Sequence, residues 1–163
     1  EGAEAIWIVD PIDGTQPFLS ELSSWCVSIG FAWQGRLEMG FLAAPARDEI
    51  FLGRRGHGAT LNGRPIHVSS STSLDDGLLS IGMSPRIGPE EIVPIVDALL
   101  RQGVVYYREG SGALSLAYVA AGRLIGFAVD GNPAPATLVA FGFEIVIAAV
   151  LIFTGRRMAA GAG

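Results

Sequence analysis

The sequence predicts an α+β domain or a layered α/β/α domain, because segments typical of paired strands come first and segments typical of helices follow. Residues 25–33 (WCVSIGFAW) and 36–44 (RLEMGFLAA) are separated by two turn residues, which indicates a β-hairpin. Residues 89–102 and 113–121 carry apolar side chains at helical spacing, and each segment is followed by glycine. Half of the 163 residues are hydrophobic, so the chain can bury a substantial core.

The other predicted strands are short and are bounded by turn residues. The first, residues 6–9, is an apolar run that stops at Asp10-Pro11. Pro94 lies inside the first predicted helix and should kink that helix or shift its start. The remaining expected strand segments are residues 49–52, a turn-rich hairpin within residues 53–62, and residues 65–68, 78–82 and 104–107.

The C-terminal part has a different character. Residues 138–153 are almost continuously apolar, but this run of about 16 residues is shorter than the ~20 that span a bilayer. Glu144 lies inside the run and would cost about 2.5–3.5 kcal/mol on insertion. A core helix or a pair of strands is therefore our first interpretation, a membrane anchor is the second, and a membrane partner is not expected.

The charge and cysteine content restrict the function and the compartment. A formal net charge of -5 disfavours nucleic-acid binding, which depends on neutralising phosphates, although a bound metal ion can still attract a phosphorylated small molecule. Cys26 is the single cysteine, so no intrachain disulfide can form, which fits a reducing, cytoplasmic location. Because Cys26 lies in an apolar alternating run, we expect a packed thiol rather than a nucleophile.

The segment Asp10-Pro11-Ile12-Asp13-Gly14-Thr15 concentrates groups that bind metal ions. A strand delivers Asp10 to its carboxyl end, where open α/β sheets place ligands. Asp13 adds a second carboxylate, and the Ile12 carbonyl lies between the two. Three hard oxygen ligands on one stiff loop suit Mg²⁺, which binds oxygen and retains several waters.

The following two residues can bind phosphate. Gly14 permits close approach of the backbone to a ligand, and a helix beginning here would direct the N–H groups of Gly14 and Thr15 at a phosphate. The Thr15 hydroxyl can orient a water molecule. The alternative is a loop in which Asp10 and Asp13 only cap turns, but the complete string WIVDPIDGT favours the metal and phosphate interpretation.

Residues 7–18 (WIVDPIDGTQPF) resemble the first signature of the inositol monophosphatase family, W-x-x-D-P-[IL]-D-G-T-x-x-F. Residues 25–69 resemble the central hairpins of that family, and residues 110–127 (GSGALSLAYVAAGRLIGF) resemble its later helix and strand. The resemblance covers about residues 6–127. It implies a layered α/β/α/β/α sugar-phosphatase-like sandwich, a homodimer, and hydrolysis of a small phosphomonoester by water activated between two Mg²⁺ ions.

The resemblance also implies roles for three residues at the metal ions. Asp10 would bridge the two ions, the Ile12 carbonyl would be a ligand, and Asp13 would bind the second ion. Asp10 and Asp13 are therefore the expected catalytic residues, together with Thr15.

Further roles follow from the resemblance at the substrate. Gly14 and Thr15 would hold the phosphate, and Thr15 would help to activate water. Gly110, Ser111 and Gly112 match the region near the leaving group. The default substrate is inositol 1-phosphate, with histidinol phosphate, a nucleotide 3′-phosphate or a sugar bisphosphate as alternatives.

Two family elements are missing from the sequence. A metal-binding glutamate expected upstream of the first strand is absent, and the chain begins almost directly on that strand, which predicts that an N-terminal part is missing. The W-D-x-A-A-G signature, expected near Ala136, is also absent. We therefore predict an incomplete domain over residues 1–127, a divergent apolar tail over residues 128–163, and weak or absent phosphatase activity. A non-catalytic protein that only binds metal or phosphate is the alternative.

Overall fold

A computed structural model describes residues 4–82, 88–124 and 126–129. It contains two β-sheets, three α-helices and two 3₁₀ turns. The first sheet has six strands in the order β1-β2-β3-β4-β5-β6, and every neighbouring pair is antiparallel. These strands are Ala5–Asp13, Cys26–Trp33, Arg36–Ala44, Glu49–Arg54, Gly58–Leu61 and Arg64–Ile66.

The hairpin between β2 and β3 is confirmed. Its two turn residues, Gln34 and Gly35, have φ values of 47° and 74°, as expected for the tight turn that matches the twist of paired strands. Trp33 pairs with Arg36 directly across the turn. The order of the strands along the chain is also their order in the sheet, so the sheet is built from successive local hairpins.

The second sheet is small and parallel, with the strand order β8-β7-β9. These strands are Leu79–Gly82 (β7), Tyr106–Tyr107 (β8) and Gly126–Val129 (β9). The connection between β7 and β8 contains helix α2, Pro89–Arg101, and the connection between β8 and β9 contains helix α3, Gly112–Ala120. A small core joins β7 to α2 through Leu79, Ile81, Leu99 and Val104.

The larger core lies between α3 and one face of the six-stranded sheet. Helix α3 is apolar on nearly all sides and six of its nine residues are buried. Its N-terminus therefore has a fixed position relative to the sheet, which matters for the site described below. The buried members of this core are Cys26, Leu42, Ala44, Phe51, Leu114, Ala117, Tyr118, Val119 and Leu124.

Several boundaries differ from the sequence prediction. Strand β1 does not stop at Asp10-Pro11 but continues to Asp13. The strand tolerates Pro11 because β1 is an edge strand, and its register with β2 shifts between Asp10 and Asp13. Helix α2 begins at Pro89 and runs through Pro94, so that proline does not shift the start of the helix.

The expectation that Asp10 lies at the carboxyl end of a strand, as in an open α/β sheet, is also wrong. Asp10 lies within β1, in the antiparallel sheet. The apolar run at residues 138–153 lies outside the described residues, as does the predicted tail from residue 130 onward, whereas residues 128 and 129 belong to β9. Within the described ranges, no helix has the length and apolar character needed to cross a bilayer.

Candidate functional site

The site is formed where the end of β1 meets the N-terminus of α3. Asp13 is the last residue of β1, and helix α1, Thr15–Leu19, begins two residues later. The N–H group of Ile12 donates to Oδ1 of Asp10 at 3.2 Å, which fixes the short segment between the two carboxylates. The predicted helix start at Thr15 is thus present, although α1 is only five residues long.

Asp13 is held by α3. Its Oδ2 atom accepts a hydrogen bond from Oγ of Ser111 at 2.5 Å and another from the N–H group of Ala113 at 2.8 Å. Ser111 also caps α3, since its Oγ accepts from the N–H group of Leu114 at 3.1 Å. A negative charge at this position is stabilised by the unpaired N–H groups and the dipole of the helix. The structure therefore brings Asp13 and Ser111 together across about a hundred residues of sequence.

Two glycines permit the close approach of these segments. Gly14 has φ 89°, and a Cβ atom there would lie 2.6 Å from the carbonyl oxygen of Ser24 and 3.1 Å from Cβ of Ser111. Gly110 has φ 88°, and a Cβ atom there would lie 2.7 Å from Cγ of Pro17. Any side chain at either position would push α1 away from the segment before α3. Gly112 is the first residue of α3 and lies between Ser111 and Ala113, which both donate to Asp13.

The oxygen atoms near β1 fit part of a magnesium coordination shell. The carboxylates of Asp10 and Asp13 and the carbonyl of Ile12 are hard ligands of the kind that Mg²⁺ prefers. The Ile12 carbonyl also accepts a hydrogen bond from the Thr15 hydroxyl at 3.2 Å, and a carbonyl oxygen has a second lone pair for an ion. Among the described residues, no group of three or more His, Cys, Asp or Glu side chains could hold a metal ion. The loop therefore fits a largely hydrated ion.

Cys26 lies beneath the site as a packed thiol, as predicted. Its side chain is fully buried, and its Sγ atom lies 3.5 Å from Oγ of Ser111. The pKa of the thiol is raised from 9.0 to about 12, chiefly by burial and to a smaller extent by the charges of Asp13 and Asp10, although the hydrogen bond with Ser111 lowers it. A thiol with this pKa is protonated at neutral pH and is a poor nucleophile.

The raised pKa of Cys26 predicts a loss of stability in alkali. Above pH 9 the unfolded chain ionises this thiol whereas the folded chain retains the proton, so stability falls as the pH rises towards 12. We expect the free energy of unfolding to fall by about 1 kcal/mol between pH 9 and 10 from this group. Denaturant titrations at both pH values measure the effect. In Cys26→Ser, which cannot ionise in this range, the slope should become smaller; an unchanged slope would contradict the assignment.

A charged cluster beside the site was missed by the sequence analysis. Arg47, in the 3₁₀ turn Pro45–Arg47, forms a salt bridge with Glu109, which is 3% exposed. Its guanidinium also donates to the carbonyl of Ser23 and to Oγ of Ser24, each at 3.1 Å. The carbonyl of Ser24 faces Gly14, and Glu109 directly precedes Gly110. Arg47 thus links the segment at Ser23 and Ser24 to the segment that contains Glu109, and these two segments flank the site.

The same cluster continues along α3. Arg47 donates to the hydroxyl of Tyr118 at 2.5 Å, and Tyr118 donates to Oε2 of Glu49 at 2.7 Å. Arg123 pairs with Glu49, and the guanidinium groups of Arg47 and Arg123 lie 5.4 and 5.1 Å from the centre of the Tyr118 ring. Burial and the hydrogen bond to Glu49 raise the pKa of Tyr118 to about 12. No sequence motif marks these residues, whose only signal is their arrangement in space.

The sequence matches the inositol monophosphatase family over residues 1–136, past the limit at residue 127 that the motifs indicate. It is 39% identical over 131 residues to the Nus factor SuhB of Pseudomonas aeruginosa, a match that covers 78% of this chain and 48% of that protein. It is also 39% identical over 123 residues to the Nus factor SuhB of Escherichia coli K12, covering 74% and 46% of the two chains. The chain thus spans about half the length of the curated relatives it matches.

Solved structures give the same result for the fold. Extragenic suppressor protein SuhB of Bartonella henselae aligns with a TM-score of 0.73 at 35% identity and covers 83% of this chain and 53% of that one. Inositol monophosphatase of Anabaena aligns with a TM-score of 0.73 at 34% identity, with coverages of 91% and 58%. The α+β, layered sugar-phosphatase-like fold is confirmed, and this chain covers little more than half of each of these structures. This chain belongs to the inositol monophosphatase family.

Proposed function

We propose that this chain carries part of the active site of a Mg²⁺-dependent phosphomonoester hydrolase, with inositol 1-phosphate as the substrate. The observation that supports it best is the arrangement at Asp13. One carboxylate oxygen is fixed by Ser111 and by the N-terminus of α3, on the same short segment as the carboxylate of Asp10 and the carbonyl of Ile12. A carboxylate held by charge-assisted hydrogen bonds is oriented before an ion binds.

The proposed roles follow from the chemistry of each group. Asp10, Asp13 and the Ile12 carbonyl would hold Mg²⁺, which supplies the positive charge that activates water and stabilises the leaving oxygen. The N–H groups of Gly14 and Thr15 would bind the phosphate oxygens. The Thr15 hydroxyl, which donates to the Ile12 carbonyl, would orient the attacking water together with Asp10.

The substrate would lie between the loop after β1 and the segment before α3. Gly110, Ser111 and Gly112 would border the leaving group, because Gly110 lies close to Pro17 and Ser111 donates to Asp13. The side chains of Thr15 and Arg108 are exposed, so a small polar molecule can reach both. Histidinol phosphate and a nucleotide 3′-phosphate are the rival substrates for the same groups.

A second candidate is binding of metal or phosphate without turnover. It is favoured by the small number of ligands in the described residues, where no cluster of three metal-binding side chains occurs. The matched relatives from P. aeruginosa and E. coli carry the name Nus factor, so a role other than catalysis is a real alternative for this chain. In either case we propose a cytoplasmic protein, with a small phosphorylated molecule as the partner of the catalytic candidate and homodimerisation as a further proposal.

Phosphate release from inositol 1-phosphate distinguishes the two candidates. We expect slow release that depends on added Mg²⁺ and stops on addition of a chelator, because the ion supplies the main electrostatic stabilisation of the transition state. Circular dichroism of the same sample establishes that the chain is folded. Binding of Mn²⁺, measured by electron paramagnetic resonance, without any release would favour the non-catalytic candidate. Release that persists in the chelator would contradict a metal-dependent mechanism.

A further inference from the structure

Ser28, in the middle of β2, has a buried hydroxyl group without a hydrogen-bond partner. The residue is 1% exposed, and within the part of the chain that the structure describes its Oγ atom is the one buried side-chain oxygen or nitrogen left unpaired. Burying a hydroxyl without a partner destabilises the folded state, so such groups are rare and require an explanation.

The immediate surroundings of Ser28 offer no packing reason for a polar residue. The cavity that Ser28 lines is otherwise bordered only by apolar residues, among them Leu42, Phe51 and Ala117. Ser28 also pairs with Leu42 on β3, a buried member of the core beneath α3. Alanine would fit this position without an unpaired oxygen, so apolar packing alone does not account for the hydroxyl.

The register of the sheet identifies the group that the hydroxyl can serve. Ser28 lies directly opposite Asp10 in the antiparallel pair of β1 and β2. Side chains at directly opposite positions share one face of a sheet, with Cβ atoms about 4.5–5.5 Å apart. Cys26, two residues before Ser28 and on the same face of β2, lies opposite Asp13 in the same strand pair.

We infer that Ser28 is a positioning residue for Asp10, whose hydroxyl donates to the Asp10 carboxylate when that carboxylate holds a metal ion. This inference rests on the proposed function, in which Asp10 is a metal ligand. Oδ1 of Asp10 already accepts the N–H group of Ile12 in the metal-free structure, so a second donor would complete the orientation of the carboxylate. Ligating carboxylates are themselves hydrogen-bonded, and loss of such a partner weakens metal binding.

The test compares two buried serines, one whose hydroxyl has no hydrogen-bond partner and one whose hydroxyl is paired. Ser28→Ala should weaken Mn²⁺ binding about 10-fold, measured by electron paramagnetic resonance, while the metal-free protein unfolds at the same or a higher denaturant concentration. Ser80→Ala is the matched control, because Ser80 is equally buried in the other sheet and its hydroxyl donates to Ser115 at 3.0 Å. That variant should lose stability and retain the Mn²⁺ affinity.

Asp10→Asn separates this inference from the proposed function. If Asp10→Asn weakens Mn²⁺ binding and Ser28→Ala does not, the positioning role is overturned and the metal site stands. If Ser28→Ala lowers the stability of the metal-free protein as Ser80→Ala does, its hydroxyl has a structural role and the inference is also overturned. If the unsubstituted chain binds no Mn²⁺, or Asp10→Asn binds it unchanged, the proposed metal site fails and this inference fails with it.

Discussion

Replacing Arg47 by methionine is expected to lower the free energy of unfolding by about 3–5 kcal/mol. The substitution keeps most of the apolar stem but leaves Glu109, which is 3% exposed, as a buried charge without its cation. It also removes the guanidinium N–H groups that donate hydrogen bonds to Ser23, Ser24 and Tyr118. Denaturant titration followed by circular dichroism measures the loss.

Two control variants show whether the burial of the pair causes this effect. Arg101→Met breaks the exposed pair with Asp97 on α2, in which the side chains are 76% and 53% exposed, and should change stability by less than about 1 kcal/mol. The double variant Arg47→Met/Glu109→Met replaces both buried charges and should recover part of the loss. If Arg47→Met and Arg101→Met lower the free energy of unfolding equally, the buried pair of Arg47 and Glu109 stabilises the fold no more than an exposed pair does.

The variant Asp13→Asn is expected to reduce Mg²⁺-dependent phosphate release by at least about 100-fold, the order seen when one preorganised electrostatic group is lost from a site. The amide has the shape of the carboxylate but lacks the charge that would attract the ion. It also weakens the charge-assisted hydrogen bonds from Ser111 and from the N–H group of Ala113. Initial rates with inositol 1-phosphate at saturating Mg²⁺ measure the loss.

Asp48→Asn is the matched control for this substitution. Asp48 is an exposed carboxylate at the end of the 3₁₀ turn and has φ 52°, a conformation that asparagine also tolerates. This variant loses the same negative charge as Asp13→Asn, but position 48 is far in the sequence from the loop after β1. We therefore expect the rate of phosphate release to be unchanged. Retention of the rate within about threefold in Asp13→Asn would remove Asp13 from the proposed mechanism.

The parts of the fold that were predicted correctly depend on local sequence. The hairpin around Gln34 and Gly35 follows from turn residues and alternation, and the C-terminal end of α3 follows from the glycine after the helix. Pro11 misled the prediction because a proline ends a central strand but not an edge strand, and the sequence does not state which strand is at the edge.

The candidate site was only partly predictable for a similar reason. The motif marks Asp10, Asp13 and the Gly-Ser-Gly segment, but not their separation in space or the hydrogen bonds between them. Arg47 and Glu109 are 62 positions apart, and neither stands in a pattern that indicates a partner. Ser28 could not be identified from the sequence. The two observations that single it out, an unpaired buried hydroxyl and a position opposite Asp10 in the sheet, are visible only in the structure.

During synthesis, the strands of the larger sheet are complete before the groups that hydrogen-bond to Asp13 have been added to the chain. The six-stranded sheet consists of neighbouring hairpins and ends at Ile66, so all of its pairing partners exist once that residue has been added. The two groups that hold Asp13 are 98 and 100 positions further along the chain than the carboxylate itself. A nascent chain can therefore carry every strand of its larger sheet before it contains the Ser111 hydroxyl and the Ala113 N–H group that donate to the carboxylate of Asp13.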